Sequence, residues 1–392
     1  MTKSAGSRRR RSGTNTASLN PLRKRIEQKR ESLGKKKDKT GTKTPESEPE
    51  IEVEATVDDS SEKKKKKKQK PHNISKLKTS GVVGKIQLNA EGEEAVATFV
   101  QKTLALGVEG IRKEFAELKA YVPVNYDHSA FDANEARNRY KDIVCLDATR
   151  VPLTLNVPPE TDYIHANWVK MENVDKTSFI ATQGPLENTI PDFWRLVHQE
   201  GVSTILMVCM TEENGKPKCA QYWPLDQGSY QTYGCMFVNN KKAGSVDKED
   251  KCTVYTLEVL PEGCSNSTIT KLVQITDWWP DRCVPQSGMG VLRILKCIVT
   301  GGPCIVHCSA GVGRTGTVIA VETVIQRLFK GQQVNVKDVV MQLRNLRANA
   351  VQTEGQFVFI HICVLYYISA KMKKYVETVL PFHNDYKAAG MS

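Results

Sequence analysis

Residues 305–316 read Ile305-Val306-His307-Cys308-Ser309-Ala310-Gly311-Val312-Gly313-Arg314-Thr315-Gly316, and the fold turns on how they are read. Gly301, Gly302 and Pro303 open the stretch, a short apolar run ends at Cys308, and a helix-period pattern begins just past Arg314. This predicts a buried strand, a glycine-bearing loop and a helix N-terminus. Five residues separate the cysteine from the arginine, few enough to close the loop into a cup of backbone amides. Amides converging at a helix N-terminus bind oxyanions, phosphate above all. The same field stabilises a thiolate and can bring a cysteine pKa from about 8.5 to roughly 3.5–7.5. An anion cup with a charged nucleophile at its base is a site for phosphate transfer. The competing reading is a buried cysteine beside an ordinary strand-to-helix turn.

Working outward, the charge is uneven. The chain has 392 residues and a formal charge of +12, and residues 1–85 hold 25 Lys and Arg against 11 Asp and Glu. The rest is therefore close to neutral. Phe, Trp and Tyr are absent before Phe99. A segment so poor in apolar side chains buries too little surface to offset its backbone entropy, so residues 1–85 are expected to be a disordered, highly basic tail. Arg8 to Arg11 and Lys63 to Lys70 are its basic runs, with an acidic strip from Glu46 to Glu54 between them. Asn20, Pro21 and Gly34 would bound a short basic helix. Such a tail suits nucleic acid, acidic lipid or an acidic protein, or it is a solvated linker; basic clusters also read as nuclear import signals.

Eleven cysteines without a C-x-x-C pair argue against a disulfide framework or a zinc site and fit a reducing compartment. No apolar run approaches the ~20 residues that cross a bilayer, and the start lacks an apolar signal core. The expectation is an intracellular protein, cytoplasmic, nuclear or both, without a transmembrane segment. From Ala95 to Leu118 apolar residues recur at helical spacing, interrupted near Gly107 to Gly110. Ser203 to Met210 reads as a buried central strand, residues 229–278 as antiparallel strands, and Ser287 to Val299 and Val339 to Leu346 as helices. A last helix is expected to run to about Val379.

His307 to Gly316 resembles the signature of the protein tyrosine phosphatases, H-C-x5-R-[S/T]-G, and other segments extend the resemblance to a non-receptor type member. It implies an α/β fold over residues 90–380: a single domain with a twisted mixed β-sheet flanked by helices. It also implies hydrolysis of phosphotyrosine in proteins through a phosphocysteine, with no metal and no cofactor. Cys308 would be the nucleophile and Arg314 the phosphate clamp. Ser309, Ala310, Gly311, Val312 and Gly313 would form the cup, Thr315 would steady the thiolate, and His307 would orient the loop.

Asn138-Arg139-Tyr140-Lys141-Asp142-Ile143 resembles the family's substrate loop. Tyr140 would wall the pocket, Asp142 would bind the peptide backbone and Ile143 would pack on the ring's far side. Asp162-Tyr163-Ile164-His165-Ala166-Asn167 resembles the D-Y-I-N-A-[S/N] strand, with His165 in place of Asn. In Glu213 to Pro224, Glu213 would orient Arg314 and Lys218 would lie near the acid loop. Trp278-Trp279-Pro280-Asp281 resembles that acid loop, W-P-D, in which Asp281 is the general acid and needs a raised pKa. Arg282 and Cys283 stand where the family usually shows His and Gly, which implies slower closure. Gln352 and Gln356 match the glutamine loop, Gln352 placing the hydrolytic water and Gln356 assisting.

Overall fold

The computed structural model describes residues 88–174, 178–245, 252–276, 279–285 and 287–390. The basic runs, the acidic strip, the helix expected between Asn20 and Gly34, and Trp278 lie outside the described residues. Seven helices are used below: α1 (Ala90–Leu118), α2 (Ile190–Gln199), α3 (Met289–Leu295), α4 (Gly313–Phe329), α5 (Val336–Leu346), α6 (Glu354–Lys371) and α7 (Val376–Ala388). The strands are β1 (Ala166–Val169), β2 (Phe179–Thr182), β3 (Thr204–Met207), β4 (Glu212–Glu213), β5 (Lys216–Pro217), β6 (Tyr230–Tyr233), β7 (Met236–Ser245), β8 (Cys252–Pro261), β9 (Thr268–Ile275) and β10 (Cys304–His307).

Eight strands form one mixed sheet in the order β1-β2-β10-β3-β9-β8-β7-β6. β10 sits between β2 and β3, parallel to both, with Cys304 opposite Phe179 on one side and Thr204 on the other. All four residues of β10 are buried, as expected of a strand covered on both faces, and its run is accordingly apolar. β9 continues parallel to β3, after which β8, β7 and β6 turn back as an antiparallel meander. Along β8 buried residues alternate with half-buried ones, the period of a sheet with one wetter face. The second, two-stranded sheet is the β4–β5 hairpin. Asn214 and Gly215 turn it with positive φ of 51° and 70°, the conformation that an Asn-Gly pair favours.

α4 leaves the C-terminal end of β10 and is buried along its whole length, between α1, α5 and α6. A helix enclosed on all sides needs apolar residues around its circumference, and Val318, Ile319, Ala320, Val321, Val324 and Ile325 supply them, with Glu322 and Thr323 buried among them. The parallel strands β10 and β3 therefore end beside an enclosed helix N-terminus, where ligands of α/β sheets bind. Phe193 of α2 locks the underside of that end, with its ring 4.8 Å from Tyr222, 5.6 Å from Trp194 and 5.9 Å from His307.

The interruption expected near Gly107 to Gly110 is met, and the last helix and the central strand depart from the sequence expectation. The interruption in the first helix is a kink at Gly107, with φ of 60° and ψ of 177°. The last helix is two: α6 ends at Lys371, Met372 takes an extended conformation, and α7 runs on to Ala388, past residue 380, with Pro381 inside it. No glycine or proline marks the break at Met372. The central strand also contracts to Thr204–Met207, although Val208 N still bonds His307 O at 2.8 Å along the parallel ladder. Replacing Phe193 by Ala is expected to cost about 3–5 kcal/mol, read from urea unfolding, because the aromatic cluster beneath the site cannot collapse on the void.

Candidate active site

The carbonyls of the β10–α4 loop are all taken from outside. Ser309 O accepts Gly184 N at 2.8 Å, and Val312 O accepts Val351 N at 3.0 Å. Thr317 Oγ1 donates to Gly313 O at 2.9 Å. Arg347, 1% exposed, grips the remaining two: Nε donates to Gly311 O and Nη2 to Ala310 O, each at 3.1 Å. With its carbonyls turned outward, the loop presents amides inward, joined by the free first N–H groups of α4. Gly311 N reaches Cys308 Sγ at 3.3 Å, and Cys308 is 4% exposed at the base of the cup.

Two glycines make this close approach possible. Gly311 has φ of +71°, and a Cβ there would meet Thr182 O at 2.1 Å. A Cβ on Gly313 would lie 2.9 Å from both Gln352 Oε1 and Gln356 Nε2. The glutamine loop therefore rests directly against the cup. Gln356 is tied into the start of α6: its Oε1 accepts Gln352 N at 2.9 Å and Thr353 N at 3.2 Å, while Thr353 Oγ1 caps Gln356 N. This is a reciprocal capping box, so Gln356 holds the backbone of Gln352. The Thr-x-x-Gln spacing carries that signal in the sequence.

Arg314 is 1% exposed and paired bidentately with Glu213, Nη1 to Oε1 at 2.7 Å and Nη2 to Oε2 at 3.1 Å. Nη1 also donates to Trp279 O at 2.8 Å. Burial disfavours the guanidinium charge, but Cys308 and Glu213 more than offset it, and the pKa is raised. Among the described residues, Arg314 Nε and Thr315 Oγ1 are buried without a hydrogen-bond partner. Such donors are costly to leave unmade, and both belong to the cup, where an oxyanion or thiolate would satisfy them.

The acid loop lies over this assembly. Asp281 Oδ2 is 2.6 Å from Lys218 Nζ, and Oδ1 is 3.5 Å from Arg314 Nη2. Burial raises the Asp281 pKa, but the Lys218 hydrogen bond and the Arg314 charge outweigh it and hold the carboxyl below the usual range. The sequence expectation of a raised value is not met, for that reason. The left-handed backbone falls on Arg282, at φ 61°, while Cys283 is outside that region and accepts Trp279 Nε1 through its carbonyl at 3.0 Å. Strain in the loop therefore sits one residue before the position expected from the missing glycine.

Tyr140 O–H donates to Ser309 Oγ at 2.8 Å, since Ser309 Oγ itself donates to Lys218 O at 3.0 Å. The tyrosine wall is thereby anchored to the cup. Ile143 is buried, Asp142 is exposed, and the two share a surface cavity of about 290 Å³ with Gln352. His307 Nδ1 donates to Cys308 O at 3.2 Å, leaving Nε2 to accept from Tyr222 O–H at 2.8 Å. His165 ties two loops together: Nε2 donates to Ile143 O at 2.8 Å, and Nδ1 accepts from Arg347 Nη2 at 3.1 Å. Burial, and then Arg347, push its pKa down to about 3, consistent with that neutral tautomer. Arg347 Nη1 completes the set at Asn167 Oδ1, 2.7 Å away.

Arg347, Asn167 and Tyr222 were not singled out from the sequence. Nothing in the run Arg344 to Ala350 distinguishes a buried arginine from an exposed one; only the packing does.

Two outcomes follow from this geometry. Arg347→Lys is expected to lower stability by at least about 2 kcal/mol, because charge-assisted bonds to two loop carbonyls are lost, and to weaken orthovanadate binding in a calorimetric titration. Asp281→Asn is expected to destabilise the protein at neutral pH. A lowered folded pKa means the carboxylate's contribution is present above its ordinary value and fades as pH falls through the folded one. The difference between variant and wild type should therefore shrink below pH ~4 in thermal melts.

Comparison with known proteins agrees with the geometry. Residues 134–366 match the protein-tyrosine phosphatase family model. The chain is 38% identical over 264 residues to the Lar-like tyrosine-protein phosphatase of Caenorhabditis elegans, covering 65% of this chain and 12% of that protein. It is 34% identical over 281 residues to tyrosine-protein phosphatase non-receptor type 9 of Rattus norvegicus, covering 66% of this chain and 46% of that protein. The chain thus spans less than half the length of these relatives. The crystal structure of the catalytic domain of human protein tyrosine phosphatase non-receptor type 18 superimposes with a TM-score of 0.61 at 32% identity, covering 69% of this chain and 98% of that one. Cys308, Arg314, Asp281 and Gln352 converge on one cup, and the family match spans them all: the chain belongs to the protein-tyrosine phosphatase family.

Proposed function

We propose that this protein hydrolyses phosphotyrosine in proteins through a phosphocysteine formed on Cys308. The observation that carries the reading is the cup itself, with a nearly enclosed thiol below unpartnered buried donors of Arg314 and Thr315. The phosphate dianion sits against the inward amides of Ser309 to Arg314 and the Arg314 guanidinium. Cys308 attacks phosphorus in line; the S–P bond forms as the bond to the tyrosyl oxygen breaks, and Asp281 gives that oxygen its proton. In the second step Gln352 places a water, Asp281 takes a proton from it, and the oxygen attacks phosphorus. The Thr315 hydroxyl stabilises the thiolate as it leaves. Preformed amides and one arginine meet the developing charge.

The low Asp281 pKa is compatible with this role. A bound dianion competes for Arg314 and adds negative charge near the carboxyl, and both changes raise its pKa. The substrate would then supply the protonation that catalysis needs. In this reading Tyr140, anchored through Ser309, makes one wall against the phosphotyrosyl ring, Asp142 binds the peptide backbone and Ile143 packs on the ring's far side.

The catalytic domain in this reading is residues 90–380, and no metal or cofactor enters either step. The protein is read as a non-receptor, intracellular member of the family, cytoplasmic or nuclear, with the basic tail as a contact for nucleic acid, acidic lipid or an acidic protein. Among the described residues no helix is long and apolar enough to cross a membrane.

Cys308→Ser should fold normally and lose turnover of a phosphotyrosyl peptide; measurable turnover would rule out the covalent route. Asp281→Asn should lower kcat by about 10²–10⁴. It should also remove the fall in kcat on the alkaline side, because a general acid loses its proton as pH rises. Persistence of that alkaline limb would assign it to another group.

A further inference from the structure

We propose that the cleft between α1, α5 and α6 is a second ligand site, suited to a small uncharged organic molecule with an apolar body and one N–H or O–H donor. The cleft has a volume of about 660 Å³, within the roughly 300–1,000 Å³ typical of small-molecule sites. It straddles the kink at Gly107, since Leu106 lines it before the kink and Glu114 after it. No residue of the β10–α4 loop, the acid loop or the glutamine loop lines it.

Its apolar surface comes from Phe99, Ala105 and Leu106 of α1, and from Val334 and Val336 at the start of α5. Two buried polar side chains interrupt them, Thr103 and His361, 2% and 3% exposed, and the more exposed Lys102, Glu114, Gln333, Asn335 and Asp338 complete the lining. His361 is fixed in plane, its ring 6.2 Å from Phe99 and 5.5 Å from Phe357. Nδ1 lies 3.1 Å from Phe357 O and donates to it. Burial holds the ring pKa down at about 4, so near neutral pH the imidazole is uncharged and Nε2 is an acceptor. Neither His361 Nε2 nor Thr103 Oγ1 has a hydrogen-bond partner among the described residues.

An acceptor with no protein partner, set beside apolar side chains, favours a ligand that brings a donor. An aromatic or aliphatic body gains by burying against those side chains, and its donor completes the His361 acceptor. Lys102, Glu114 and Asp338 lie at the same cleft with charges of both signs, which gives a charged ligand no consistent counter-charge.

The probe is β-naphthol, titrated calorimetrically into the full chain, with its methyl ether as the control that keeps the ring system and lacks the O–H. The expected result is one saturable site for β-naphthol, unaffected by saturating orthovanadate. Binding should be about tenfold weaker for the ether and for His361→Phe, as one lost hydrogen bond predicts. Ala105→Trp, which fills the cleft from an exposed position on α1, should abolish binding without disturbing the fold. Equal affinity of naphthol and ether, binding that survives Ala105→Trp, displacement by vanadate, or no binding at all would each overturn the proposal. None of these readouts depends on catalytic turnover, so the result stands apart from the hydrolytic reading.

Discussion

The outward pull on the carbonyls of Ser309 to Gly313 is the constraint on which the rest depends. A peptide unit that turns its C=O one way must turn its N–H the other, so whatever holds the carbonyls also aims the amides. Arg347 does most of this, with two carbonyls of the loop, Asn167 and His165 all on one buried guanidinium. Burying that charge is expensive, and its pKa is lowered, first of all by desolvation. The cost is offset because each polar hydrogen-bonding direction of the head group in contact with the loop is used. The cup is therefore formed before any anion arrives, which is what electrostatic preorganisation requires.

Around this centre the loops are braced against one another. Glu213 fixes Arg314 from the β4–β5 hairpin, and its Oε1 also accepts Met210 N at 3.0 Å. Arg139 carries the substrate loop onto the Gly184–Pro185 segment through two backbone carbonyls. His165 joins Ile143 to Arg347, so the Tyr140–Ile143 segment and the loop after β10 share one brace. Where the related strand motif has asparagine, an imidazole here spans both contacts with one ring, in a single tautomer. Asp281 is the exception to this rigidity: its contacts with Lys218 and Arg314 are ion pairs at a partly exposed carboxyl, which a bound anion can displace.

The sequence made some of this legible and concealed the rest for physical reasons. The strand, loop and helix around Cys308 could be read because a fully buried strand needs an unbroken apolar run and the loop needs glycine at Gly311. The meander could be read from its two-residue alternation. Arg347 was invisible because burial of a charged side chain depends on carbonyls from segments distant in sequence. Gln356 carries two signals at once, the glutamine loop and the capping box, and the structure uses the second. The break at Met372 has no local marker, and the positive φ at Arg282 reflects loop contacts, not residue preference.

The account stands or falls on whether Cys308 becomes covalently phosphorylated in the cup. Rapid acid quench of the full chain during turnover of a phosphotyrosyl peptide, followed by mass mapping of the digest, tests this directly. The prediction is one phosphoryl group on the peptide containing Cys308, accumulating further when Gln352 is replaced by Ala so that its hydrolysis slows. Turnover without any phosphoryl adduct on that peptide, or with an adduct on another residue, would contradict it.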